Sequence, residues 1–122
     1  MEGSFNFLRH KNGICAFARI GVGCEPSTEL VVEWAPDLAQ LEKKYGWYVL
    51  TGIGLAMIWH RELGGGTARF RVLSLVESLM DTTPDAVHVA ATVAAWKALG
   101  HSETELEFIG EMKPRWRVAK AK

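Results

Sequence analysis

With 122 residues, 48% of them hydrophobic, the chain falls within the size of one domain and can bury roughly two-thirds of its unfolded surface. Fourteen basic residues balance fourteen acidic ones, which excludes a global field drawing the molecule onto nucleic acid or an anionic membrane; such a partner has to be met by a local patch. The longest apolar stretch, Trp47 to Trp59, is broken by Thr51, Gly52 and Gly54 and is shorter than the ~20 residues of a membrane span. No export signal opens the chain, so the expectation is a cytoplasmic, single-domain protein over residues 1–122.

Met1 to Asn12 mixes polar, charged and aromatic residues and is assigned no element. Ile14 to Cys24 alternates, with Ala16, Ala18, Ile20 and Val22 on one face and Phe17, Arg19 and Gly21 on the other, the pattern of a strand covered on one side. In one strand Cys15 and Cys24 lie about 30 Å apart, beyond the ~7 Å reach of a disulfide, so two reduced thiols are expected. The turn cluster Cys24-Glu25-Pro26-Ser27-Thr28 leads into a second alternating run, Glu29 to Trp34, and the pair reads as a hairpin. Pro36-Asp37 ends it, and Asp37 to Lys44 reads as a short separate helical turn before Gly46. From Trp47 to Leu63 the apolar residues Val49, Leu50, Ile53, Met57 and Ile58 recur at helical spacing, stopped by Gly64-Gly65-Gly66. Glycine costs about 1 kcal/mol in a helix relative to alanine, so Gly52 and Gly54 imply close approach to another backbone.

Ala68 to Glu77 reads as a central strand with Phe70, Val72 and Val76 inward and Arg69 and Arg71 outward. Thr83 is a candidate N-cap, Pro84 the first helical residue and Asp85 an acid in the first turn of an alanine-rich helix that Gly100 stops. Glu103 to Glu111 reads as a one-sided strand ended by Lys113-Pro114, and Arg115 to Val118 as a short edge strand within a basic tail, 113–122.

In Asp81-Thr82-Thr83-Pro84-Asp85-Ala86, followed by Val89-Ala90-Ala91 and Ala95-Trp96-Lys97-Ala98-Leu99, the chain resembles domain IV of the ribosomal translocase, elongation factor G. That family has an Asp-Ser-Ser turn opening an alanine-rich helix. Gly13-Ile14 to Cys24-Glu25-Pro26 is similar to its first strand, and the resemblance spans Gly13 to Gly100. It implies an α+β fold of the ribosomal protein S5 domain 2-like kind: a four-stranded sheet, two helices on one face and a left-handed βαβ crossover, against the usual hand. Two departures bear on function. The family's Gly-rich basic tip loop corresponds to Arg9-His10-Lys11-Asn12-Gly13, with one glycine. Its longer histidine-bearing loop corresponds to the shortened Glu77-Ser78-Leu79-Met80. No Gly-x4-Gly-Lys-Ser/Thr phosphate loop occurs, so the chain lacks a translocase's nucleotide site.

The resemblance suggests the ribosome or RNA as partner. Candidate RNA-binding residues are Arg9, His10 and Lys11, positive groups that suit phosphate, and Arg69 and Arg71 on an open sheet face. Arg115, Trp116 and Arg117 join them, an aromatic between cations that suits a stacked base, although Trp116 packed on the sheet explains the same pattern. Glu33, Glu105 and Glu107 are expected cross-strand partners of the arginines. His60, His88 and His101 fall in no metal spacing, and no nucleophile–histidine set assembles. The expectation is therefore a non-catalytic binding domain without metal, nucleotide or other cofactor. The alternative is a protein-interaction module that self-associates through its sheet into a homodimer.

Overall fold

A computed structural model describes residues 1–11, 14–78, 81–109 and 115–118. The order is β1 (Glu2–Lys11), β2 (Ile14–Pro26), β3 (Val32–Trp34), a 3₁₀ turn at Pro36–Leu38, α1 (Ala39–Glu62), β4 (Ala68–Val76) and α2 (Pro84–Ala98). A 3₁₀ turn at Glu103–Glu105, β5 (Leu106–Ile109) and β6 (Arg115–Val118) follow. The architecture is α+β: a mixed four-stranded sheet in the order β1-β2-β4-β3, two helices, and a separate two-stranded β5-β6 sheet.

The four strands are not the four the sequence suggested. β1, formed by residues assigned no element, pairs antiparallel with β2 along its whole length. Its signal was Phe5-Asn6-Phe7, a period of two that places Phe7 in the core and leaves Asn6 exposed. The segment after Glu103 instead forms β5, which pairs only with β6. Nor do β2 and β3 form a hairpin, because β4 lies between them, antiparallel to β2 and parallel to β3. Two features explain the insertion: Ser27 donates its amide to the Thr67 carbonyl at 3.0 Å, holding the chain leaving β2 against the start of β4, and nine-residue β4 offers β2 far more ladder than three-residue β3. The β3-α1-β4 segment is thus a parallel crossover between neighbouring strands.

A register shift opposite Gly21 and Val22 changes the phase of β4. Ala68, Phe70 and Val72 face the core, but beyond the bulge Leu75 is buried (5% exposed) and Val76 is not (45%), which reverses the expected inward role of Val76. Cys15 and Cys24 do lie in one continuous strand, too distant to bridge.

α2 packs on β1 and β2, and α1 packs along α2. With sheet, helix and β6 around it, α2 is buried on nearly every side, including Val87, Ala91, Val93 and Trp96. Its start matches the expectation: Thr83 Oγ1 accepts from the Ala86 amide at 3.1 Å and Pro84 takes the first helical position. α1 is longer than expected, running unbroken through Gly46 from Ala39, because Tyr45 buries its ring and Leu41 packs on the core before the glycine. Tertiary burial of a large side chain, roughly 1.5–3 kcal/mol, outweighs the ~1 kcal/mol a helical glycine costs. Gly52 meets its expectation: a Cβ there would stand 2.5 Å from the His88 carbonyl oxygen, so α1 and α2 touch backbone to backbone.

Candidate interaction surfaces

The sheet face away from the helices carries Asn6, Arg19, Arg69, Arg71 and Ser74, all exposed. Arg69 and Arg71 therefore lie on the open face as expected, and Arg19 joins them from β2. Arg69, however, is engaged by Glu33 on β3 and, at 3.5 Å, by Glu25 on β2. Arg71 stands across from Glu33 in register. The face thus presents three arginines together with Glu2, Glu25 and Glu33, a mixed-charge surface. Of the partners expected for these arginines, Glu33 is in place, whereas Glu105 and Glu107 lie elsewhere. Glu105 caps the Ser102 amide at 2.7 Å, and Glu107 pairs with Arg117 in the small sheet at 2.9 Å.

The two basic ends are also different from their sequence reading. Arg9, His10 and Lys11 are the last residues of β1, not a loop before the first strand. Their side chains and that of Arg115, like Lys113, Lys120 and Lys122, lie outside the described residues. Trp116 is 9% exposed, with its ring edge-on to Phe5 of β1 at a centroid distance of 5.8 Å. It packs against Phe5 of the sheet, in keeping with the packing reading of the pattern. Arg117 is exposed and held by Glu107, whose carboxyl is kept below its ordinary range by that hydrogen bond.

Two histidines that belong to no sequence motif come together at one end of the helices. His60 Nδ1 and His101 Nε2 are 2.8 Å apart, so one ring donates to the other. His101 stacks on Trp96 at 3.8 Å, and Trp96 donates its indole N–H to the Ser102 carbonyl at 3.1 Å. Burial, and secondarily the charge of His101, holds His60 below its ordinary range. A cavity of about 280 Å³ beside His60 is also lined by Cys24, Pro26 and Leu99. The Cys24 thiol donates to the Ala98 carbonyl at 3.1 Å, and burial pushes it up, away from the reactive thiolate. Among the described residues, no group of three or more His, Cys, Asp or Glu is arranged to hold a metal ion, and no helix is long and apolar enough to cross a membrane.

An exposed apolar group lies on α1. Trp47 is 69% exposed, Leu50 41% and Ile58 56%. Leu50 and Ile58 are positions that fall at helical spacing in one apolar series with Val49, Ile53 and Met57. The structure divides that series: Val49, Ile53 and Met57 are buried, and Leu50 and Ile58 face out beside Trp47. Gly54 lies on the same outward face with nothing within 4 Å of where a Cβ would stand, so its expected close contact is absent among the described residues. The helix is anchored near its start by Glu77, which follows β4 and accepts from the Tyr45 hydroxyl at 2.6 Å and Lys44 Nζ at 2.9 Å.

No family model matches the chain, and no curated protein is similar to it at a significant level. Among solved structures it is similar to a crystal structure of a protein from Thermus thermophilus, with a TM-score of 0.65 and 20% identity over 81% of this chain. The match takes up 15% of the Thermus chain. At that identity the likeness is one of fold.

Proposed function

We propose that this chain is a non-catalytic protein-interaction domain that self-associates. The observation carrying this reading is the outward face of α1, where Trp47, Leu50 and Ile58 stand in water, while Arg69 and Arg117 of the two sheets are each paired with a carboxylate. Such a surface gains by covering apolar area, about 25 cal/mol per Å², and has little to offer a polyphosphate. Binding without catalysis fits the local chemistry. The Cys24 thiol is engaged by a carbonyl, and His60 and His101 bond each other.

The fold belongs, on this reading, to the ribosomal protein S5 domain 2-like group, as the likeness to domain IV of elongation factor G suggests. Its support is the four-stranded sheet, the two helices and the crossover between parallel neighbours β3 and β4. The Thermus protein, in which the matching part is a small share of a long chain, agrees with a domain that elsewhere forms part of a larger protein. A right-handed β3-α1-β4 crossover in an experimental structure would overturn the assignment.

Sedimentation equilibrium, with the absorbance ratio of the purified protein read at low and high salt, tests the functional reading. A concentration-dependent dimer free of nucleic acid is expected. Co-purifying nucleic acid that high salt removes, with the protein itself monomeric, would overturn self-association in favour of RNA binding.

A further inference from the structure

Building on the self-association reading, we infer that two copies dock through the outward faces of α1, antiparallel and crossing at Gly54. The arrangement of residues about Gly54 points to this. Leu50 lies four residues before it and Ile58 four after; Trp47 lies seven before and Arg61 seven after. Four and seven residues are about one and two helical turns, so all five positions share one face.

Where two such helices cross antiparallel at Gly54, residues equidistant from it on either side meet. Leu50 then packs on Ile58 of the second copy, and Trp47 lies against Arg61 of the second copy, a guanidinium over an indole face. Glu62 of each comes within one turn of Lys43 of the other, opposite charges on the rim; all three charged residues are exposed. A two-fold contact demands a patch complementary to itself, and this one is. Parallel pairing would set Arg61 against Arg61 and Lys43 against Lys43, so charge selects the antiparallel orientation.

Gly54 fits this account. Gly52 is required by the backbone of α2, whereas Gly54 has no neighbour among the described residues to require it. At a crossing point the missing side chain lets two backbones approach more closely than the usual 8–10 Å between helix axes. A contact confined to α1, which has 24 residues and is about 36 Å long, is a small one, and a micromolar dimer is expected.

Cysteine cross-linking in a Cys15→Ser, Cys24→Ser background tests the geometry. On mild oxidation Gly54→Cys should form a covalent dimer, as should the double variant Trp47→Cys, Arg61→Cys, whereas Trp47→Cys alone and Arg71→Cys on the open sheet should not. Separately, Trp47→Ala and Ile58→Asp, each with native circular dichroism, should raise the dimer dissociation constant about tenfold or more in sedimentation. A dimer indifferent to both substitutions, or cross-linked through Arg71→Cys or Trp47→Cys alone, would overturn the α1 crossing and leave self-association standing. A strict monomer up to about 100 μM would overturn both.

Discussion

Gly52 and Gly54 sit two residues apart on one helix and illustrate its two sides. Around Gly52, α1 is pressed against α2, with Val49, Ile53, Ala56 and Met57 buried and no space for a methyl group beside the His88 carbonyl. Around Gly54 the surroundings are open and the neighbouring side chains are as apolar as those inside. The inner face satisfies its glycine within the chain; the outer face carries the same signature with no partner among the described residues. Apolar periodicity alone reports that a helix has something to bury, and which of its sides does so is set by where the second helix lies.

The sharpest way to break this comparison is Gly52→Ala. The new Cβ would meet backbone, which cannot swing away, so thermal or chemical unfolding should show a loss of about 2–3 kcal/mol. Equal stability would mean that the helices are not in backbone contact. Next comes the anchor at the start of the inner face: Tyr45→Phe removes a hydrogen bond to a carboxylate and should cost about 1–2 kcal/mol. The Tyr45 hydroxyl, with Lys44, holds the Glu77 carboxyl below its ordinary 4.5. This contribution is present above pH 4.5 and lost as pH falls through the lowered value, so the variant should have a shallower acid limb.

Gly54→Ala sharpens the contrast from the opposite side. With nothing near the new methyl, helix propensity alone acts, and the monomer should gain up to about 1 kcal/mol, read under dilute conditions by urea unfolding. A loss there would show that the outer glycine serves the fold as the inner one does. The smallest effect expected is a neutral-to-acid slope from the two histidines flanking the helix pair. Burial holds both His60 and His88 below their ordinary 6.5. The unfolded chain therefore takes up protons first, and stability is full above pH 6.5 and falls as pH drops below it. His60→Gln should flatten that slope; an unchanged profile would exclude His60 as a contributor.

Much of the framework was legible along the chain. Thr83 and Pro84 opening α2, the alternation of Ala18, Ile20 and Val22, and Gly52 as a point of contact are local or periodic signals, and each appears in the structure as read. The misreadings share a physical cause. β1 carries only a weak local signal, the alternation of Phe5 and Phe7 about Asn6, because its stabilising partner is β2 and its own composition is mixed. The hairpin failed because strand pairing is decided by the ladder a distant segment can offer, and β4 offered the longer one. Of the candidate site, the position of Arg69 and Arg71 on an open face was readable from alternation. Their neutral setting was not, since Glu25 and Glu33 come from two other strands.

The sequence by itself determined where α2 starts and stops, which face of β2 is apolar and that α1 approaches another backbone at Gly52, since these follow from hydrogen-bonding chemistry and side-chain period within a few residues. Tertiary structure alone decided which side of α1 stays in water, that Trp116 lies against Phe5, and that His60 meets His101 across 41 positions. Those outcomes depend on packing between segments far apart in the chain, and no local pattern encodes which of two apolar faces the fold will cover.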